Sequence, residues 1–97
     1  MATTKDYKDY VLGQLNLLDN IKCRPMMGEY LLYLDDVLFG GIYDNRLLLK
    51  KTDSNKEYHM EDAIPYDEAK AMYLVHDIDN IELLMEIVLN TYNDLKK

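Results

Sequence analysis

Few side chains in this 97-residue chain could do chemistry, and their spacing limits what that chemistry would be. His59, His76, Cys23 and Ser54 are the candidate metal ligands and nucleophiles. A metal centre needs His, Cys or carboxylate groups at recurring spacing. Here the two histidines lie far apart, Cys23 is alone, and His59-Met60-Glu61-Asp62 has no recurring partner. Asp77-Ile78-Asp79-Asn80 opens like a calcium loop. Its sixth position is Glu82 rather than Gly and its twelfth is Val88 rather than an acid, so that loop cannot be completed. Helix capping is the better use of these acids. Ser54, the single serine, also falls where a helix cap is expected, and a small thiol beside strand residues is ordinarily inert packing. Gly40-Gly41 is followed by neither a helix nor a Lys-Ser or Lys-Thr pair, which excludes a phosphate-binding loop. Arg24 and Arg46, the only arginines, each offer a planar donor fork. Among eighteen acids the ordinary use of such a fork is an ion pair. The alternative is a pocket near Arg24 and Arg46 that holds a small ligand or carries an enzymatic reaction. The leading expectation is no enzyme, with no catalytic, metal-binding or cofactor-binding residue.

The charge distribution narrows the partners. Residues 1–51 hold seven acids and seven Lys or Arg, whereas residues 52–97 hold eleven acids and four bases, which accounts for the whole net charge of −7. An acidic half repels phosphate backbones, so autonomous nucleic-acid binding is not expected. No apolar run approaches the roughly 20 residues of a membrane span, and the polar N-terminus has no apolar signal-peptide core. A lone cysteine fits a reducing cytosol. A cytoplasmic protein forming one domain over residues 1–97 is expected.

The elements that must position these residues centre on Cys23–Lys51. Runs at Glu29–Leu34, Val37–Tyr43 and Arg46–Lys50 are rich in Leu, Tyr, Val, Ile and Phe, and are separated by the pairs Asp35-Asp36 and Asp44-Asn45. Two residues is the length of a tight hairpin turn, and Asp and Asn tolerate its left-handed backbone. Residues 21–27 add a first strand, with Pro25 placing it at a sheet edge, and Ala71–His76 add a later one. Alternation sets Tyr30, Leu32 and Leu34 against Leu31 and Tyr33, then Val37, Phe39 and Tyr43 against Leu38 and Ile42. Both faces are therefore apolar, where a half-covered sheet would have one polar face. A second copy of the chain is the expected cover. Nine tyrosines supply amphipathic surface suited to such an interface. Gly40-Gly41 inside a strand marks a bulge or a close backbone approach.

Helices flank this meander. Thr3 or Thr4 caps a first helix whose Tyr7, Val11, Leu15 and Leu18 share a face, ended by Asp19-Asn20. Ser54 with Glu57 forms a capping box for a short middle helix reaching about Met60. Ala63–Glu68 reads as a loop, with Tyr66 in a brief strand. Asp79 caps a long last helix, with Glu82 completing the box and Ile78 stapled to Leu83. Its buried face is Ile81, Leu84, Met85, Val88, Tyr92 and Leu95. The expected fold is α+β in two layers: an antiparallel sheet of about five strands with these three helices.

Three segments in this order, Arg24-Pro25-Met26-Met27-Gly28-Glu29-Tyr30, Phe39-Gly40-Gly41-Ile42-Tyr43 and Arg46-Leu47-Leu48-Leu49-Lys50, resemble the N-terminal domain of the TfoX/Sxy regulators of competence. Arg24, Met27, Gly28, Phe39, Gly40, Arg46 and Lys50 match that pattern, with Met27 where the family usually has Phe. The likeness covers nearly the whole chain. It implies a two-layer domain with a regulatory, non-enzymatic role, and assigns the matched residues to structure or interaction rather than catalysis. Larger members carry an added C-terminal domain suited to DNA contact. The sequence ends at Lys97, so a standalone domain is expected. The implied function is a regulatory or adaptor domain acting through protein contacts, homodimeric, with a transcription activator or RNA polymerase as partner.

Overall fold

Three two-residue turns build the first part of the sheet. The computed structural model describes residues 3–96. Strands β1 (Ile21–Met26), β2 (Glu29–Leu34), β3 (Val37–Ile42) and β4 (Leu47–Leu49) follow one another in space as in sequence. At Asp35-Asp36 φ is 48° and 65°, and at Asp44-Asn45 it is 52° and 56°. Left-handed conformation at both central positions matches the right-handed twist of the flanking strands. The same geometry recurs at Met27-Gly28, with φ of 50° and 85°. Met27 therefore belongs to a turn and not to the first strand. Its apolar type hid a conformation that Gly28 alone would have signalled.

The sheet has six antiparallel strands in the order β1-β2-β3-β4-β6-β5, one more than the sequence reading. β6 (Met72–Leu74) lies between β4 and β5 (Glu61–Ala63). Glu61-Asp62-Ala63 has poor strand propensity, and its last residue is where the sequence reads a loop beginning. Its partner strand recruits it as an edge, where acidic side chains are tolerated. Tyr66 lies in no strand. The middle helix is a single 3-10 turn, Asn55–Tyr58, in place of a helix to Met60. Ser54 makes no capping bond there; its Oγ lies 2.7 Å from Asp94 Oδ2 and 3.1 Å from the Asn90 carbonyl oxygen. The last helix orients this hydroxyl, which donates to it and not to the turn.

Helices α1 (Lys5–Gln14) and α2 (Ile81–Leu95) cover one face of the sheet. The Thr4 hydroxyl caps α1 by accepting the Tyr7 N–H, and Val11 and Leu15 are wholly buried. Leu15 and Leu18 lie past the end of regular helix, in turns that run to Asn20 at φ 66°. The cap of α2 is Asn80, whose side chain accepts the Leu83 N–H, and not Asp79; the Asp79–Glu82 capping box does not form. The buried face of α2 is also turned from the expected one. Leu84 and Val88 are buried as read, but so are Ile87 and Thr91, while Ile81 is exposed. Thr91 escapes a hydrophobic count because it is polar. It is buried at low cost: its hydroxyl donates to the Ile87 carbonyl at 2.8 Å and accepts from Asn55 Nδ2 at 2.9 Å.

Asn55, also wholly buried, uses every side-chain polar atom in tying the 50–55 segment to α2. Nδ2 donates to the Lys50 carbonyl at 2.8 Å and to Thr91, and Oδ1 accepts the Thr52 N–H at 2.9 Å. A second polar knot holds the N-terminal side. Glu29 Oε1 accepts the Thr3 N–H (2.9 Å), the Thr3 hydroxyl (2.7 Å) and the Asp44 N–H (3.1 Å).

The register shifts between Leu32 and Tyr33, pairing Leu32 with Gly40 and Tyr33 with Leu38, so that Phe39 is the extra residue. This bulge overturns the expected alternation: Phe39 and Ile42 both enter the helix-side core. Gly40 and Gly41 make the crossing possible. A Cβ on Gly40 would fall on the Leu48 carbonyl and within 3.0 Å of Leu49 Cα, and one on Gly41 would lie 2.7 Å from both the Tyr30 carbonyl oxygen and the Tyr43 ring.

Gly40→Ala is expected to destabilise the protein by about 1–3 kcal/mol through overpacking, read as a lower urea midpoint with unchanged slope. A second expectation concerns pH. Burial first, with carboxylates near Tyr43, Tyr58 and Tyr92, raises the phenol pKa of Tyr7, Tyr43, Tyr58 and Tyr92 above 10.0. The folded chain thus keeps protons that the unfolded chain releases. The stability this contributes is complete below the unfolded pKa of about 10 and is lost as pH rises through the folded values. Tyrosinate absorbance at alkaline pH should rise later for native than for urea-unfolded protein; coincident titrations would contradict it.

Candidate functional site

The seven matched residues divide by what their side chains touch. Gly28 supplies a turn, Phe39 fills the core, and Gly40 admits the neighbouring backbone. Arg46 spends its fork on main chain: Nε donates to the Tyr43 carbonyl at 3.2 Å and Nη2 to the Ile64 carbonyl at 3.1 Å. It binds the β3–β4 turn to the segment that leaves β5. An ion pair was expected, and carbonyl oxygens take its place. The backbone of Lys50 is held at its N–H by the Phe39 carbonyl and at its carbonyl by Asn55. Arg24 and Met27 are left at the surface, Met27 at 99% exposure. Its side chain meets solvent and fills no apolar site.

Arg24 and Arg46 do not come together. Edge strand β1 carries Arg24, Arg46 precedes β4, and two strands lie between. At an inter-strand spacing near ~4.8 Å that is roughly 14 Å of sheet. The cleft beside Arg46, about 450 Å³, has Glu29, Asp44, Asp67 and Glu68 in its walls, which makes it acidic.

The sheet face opposite the helices is divided. On β1 to β3 it presents Lys22, Arg24, Leu31, Tyr33 and Leu38, with the apolar members half-buried. The Arg24 guanidinium stands 6.0 Å from the centre of the Tyr33 ring, within cation–π reach. Lys22 Nζ is 2.8 Å from Asp36, whose carboxyl it holds below the usual carboxylate pKa. Toward β4 the same face is closed. Leu48 is fully buried, Tyr43 is nearly so, and the β5–β6 connection brings a buried Pro65 and the Tyr66 ring, 6.1 Å from that of Tyr43. Part of the cover expected from a second chain is thus provided by residues 64–71, a stretch too polar and irregular to read as a lid.

The remaining chemical candidates are dispersed or engaged. The fold brings His59 and His76 to one groove of about 190 Å³, with Tyr58, Asp77, Leu83 and Ile87. Among the described residues no group of three or more His, Cys, Asp or Glu is placed to hold a metal ion. Cys23 is half-buried, and burial pushes its thiol pKa up, which disfavours the reactive thiolate. Among the described residues no helix is long and apolar enough to cross a membrane.

The family model described as the TfoX N-terminal domain matches residues 13–76, the stretch from the end of α1 through β6. An uncharacterized 12.7 kDa protein in the trpE 5′ region of Spirochaeta aurantia is 36% identical over 80 residues, covering 80% of this chain and 70% of its own length. The family match over residues 13–76 takes in all three turns, the β3 bulge and the Arg46 tie, the features that shape both sheet faces. The chain belongs to the TfoX N-terminal domain family.

Proposed function

We propose that this chain is a regulatory adaptor that works through protein contacts and performs no catalysis, with a role related to the control of DNA competence and transcription. Family membership supports regulation. The observation that carries the contact reading is the open part of the sheet face, where Leu31, Tyr33 and Leu38 remain half-exposed beside Arg24. Apolar side chains ringed by a few cations suit the centre and rim of a protein interface. The half-buried free thiol of Cys23 suits a reducing cytoplasm. On this reading the domain is a homodimer and its partner is a transcription activator or RNA polymerase.

Sedimentation velocity at micromolar concentration is expected to give a species of twice the 11.4 kDa chain mass. A single 11.4 kDa species throughout would count against the dimer. Immobilised wild-type chain should retain RNA polymerase or an activator from native lysate. Arg24→Glu combined with Tyr33→Ser should cut that retention by about tenfold or more, since central interface residues carry most of the binding energy. Equal retention by both proteins would overturn the assignment of this face.

A further inference from the structure

The β5–β6 connection separates two clefts of opposite charge. The acidic one, beside Arg46, shares Pro65 and Tyr66 with a second cleft of about 520 Å³. Lys50, Lys51 and Lys70 line that second cleft around Tyr43, Tyr66 and Met72. Three lysines along one cleft in a chain of net charge −7 call for an explanation. Lys51 has one, since its Nζ lies 2.8 Å from Asp62 and 5.0 Å from the centre of the Tyr73 ring. Lys50 and Lys70 have no carboxylate within ion-pair distance among the described residues.

The backbone that carries these walls is tied in several places. Lys50 is pinned through its backbone to β3 and to the buried Asn55. Arg46 holds the connection at Ile64, and the Ala69 N–H donates to the Tyr66 carbonyl at 3.1 Å, closing the turn that carries the Tyr66 ring. That ring is 60% exposed. A small-molecule site is typically a preformed cavity of about 300–1,000 Å³ with an apolar floor and a few polar groups, and this cleft fits that description.

We propose that the cleft binds a planar ring bearing a phosphate dianion, a nucleoside monophosphate in size and charge, with the ring against Tyr66 and the phosphate between Lys50 and Lys70. Two free ammoniums match a dianion better than a single carboxylate. An exposed phenol face offers stacking area to a base. A longer nucleic-acid strand is disfavoured, because beyond Pro65 and Tyr66 it would run against Glu29, Asp44, Asp67 and Glu68. The site lies apart from Arg24 and Tyr33, so it stands or falls independently of the partner-binding face.

The test is a titration of the full ¹⁵N-labelled chain with AMP and GMP, followed by amide shifts, with adenosine, inorganic phosphate and a thymidine octanucleotide as comparisons. At least one monophosphate should give saturable shifts centred on Lys50, Tyr66 and Lys70. Adenosine and phosphate should each bind about tenfold more weakly, as expected if ring and phosphate both contribute. Lys50→Gln with Lys70→Gln should weaken monophosphate binding by about tenfold, a loss consistent with removing both phosphate-facing charges. Both lysine substitutions should leave the spectrum away from the cleft unchanged, and Tyr66→Ala should weaken binding without altering the response to inorganic phosphate. Absence of saturable shifts at millimolar AMP and GMP, undiminished binding by the double lysine variant, or tighter binding of the octanucleotide than of either monophosphate would overturn the proposal.

Discussion

Strand β3 crosses the middle of the sheet only because two consecutive residues bring no side chain. At Gly40 and Gly41 the neighbouring backbone of β4 and β2 and the Tyr43 ring occupy the space that a Cβ would need. The bulge at Phe39 depends on this closeness, and through it Phe39 and Ile42 reach the same core. Helix α2 then packs against β3, and Leu32, Leu47 and Leu49 complete the floor beneath it. One steric allowance thereby underlies the close approach of the central strands and the surface on which the last helix packs.

Polar ties do the rest where apolar area is scarce. The C-terminal half is strongly acidic, and its connections give only a few apolar residues, Val75 and Ile78 among them, to the core. Asn55 joins Lys50, Thr52 and Thr91, Ser54 holds the end of α2, and Glu29 collects the N-terminal segment and the β3–β4 turn. Buried polar groups that are fully partnered cost little and specify one arrangement, because any slip would leave a donor or acceptor unmet in a dry environment. No buried side-chain nitrogen or oxygen among the described residues lacks a partner. These ties hold the 50–55 segment and the N-terminal residues against the sheet and the last helix.

That placement divides the face opposite the helices into two parts. Toward β4 it is closed by the chain's own connection, with a lysine-lined cleft on one side of Tyr66 and an acidic cleft on the other. Toward β1 it is open, with Arg24 over Tyr33 and leucines beside them. The partner-binding face and the anion recess proposed for this chain would thus occupy different parts of one sheet.

Much of the architecture was legible in the residues. Alternating apolar runs separated by Asp35-Asp36 and Asp44-Asn45 announced the hairpins, since short polar side chains tolerate left-handed backbone. Helical spacing announced α1 and α2, and the motif residues pointed to the family. These signals are local, written within a few positions of where they act. What the tertiary structure alone decided is non-local. Pairing with β6 made Glu61–Ala63 a strand against its propensity, and a hydrogen bond from Asn55 made Thr91 a buried residue of α2. Carbonyls at Tyr43 and Ile64 claimed Arg46, and the return of residues 64–71 brought Lys50 and Lys70 to one cleft. Strand partners, carbonyl acceptors and converging charges are set by distance in space. Residue types and their spacing carry no record of that distance until the chain has closed on itself.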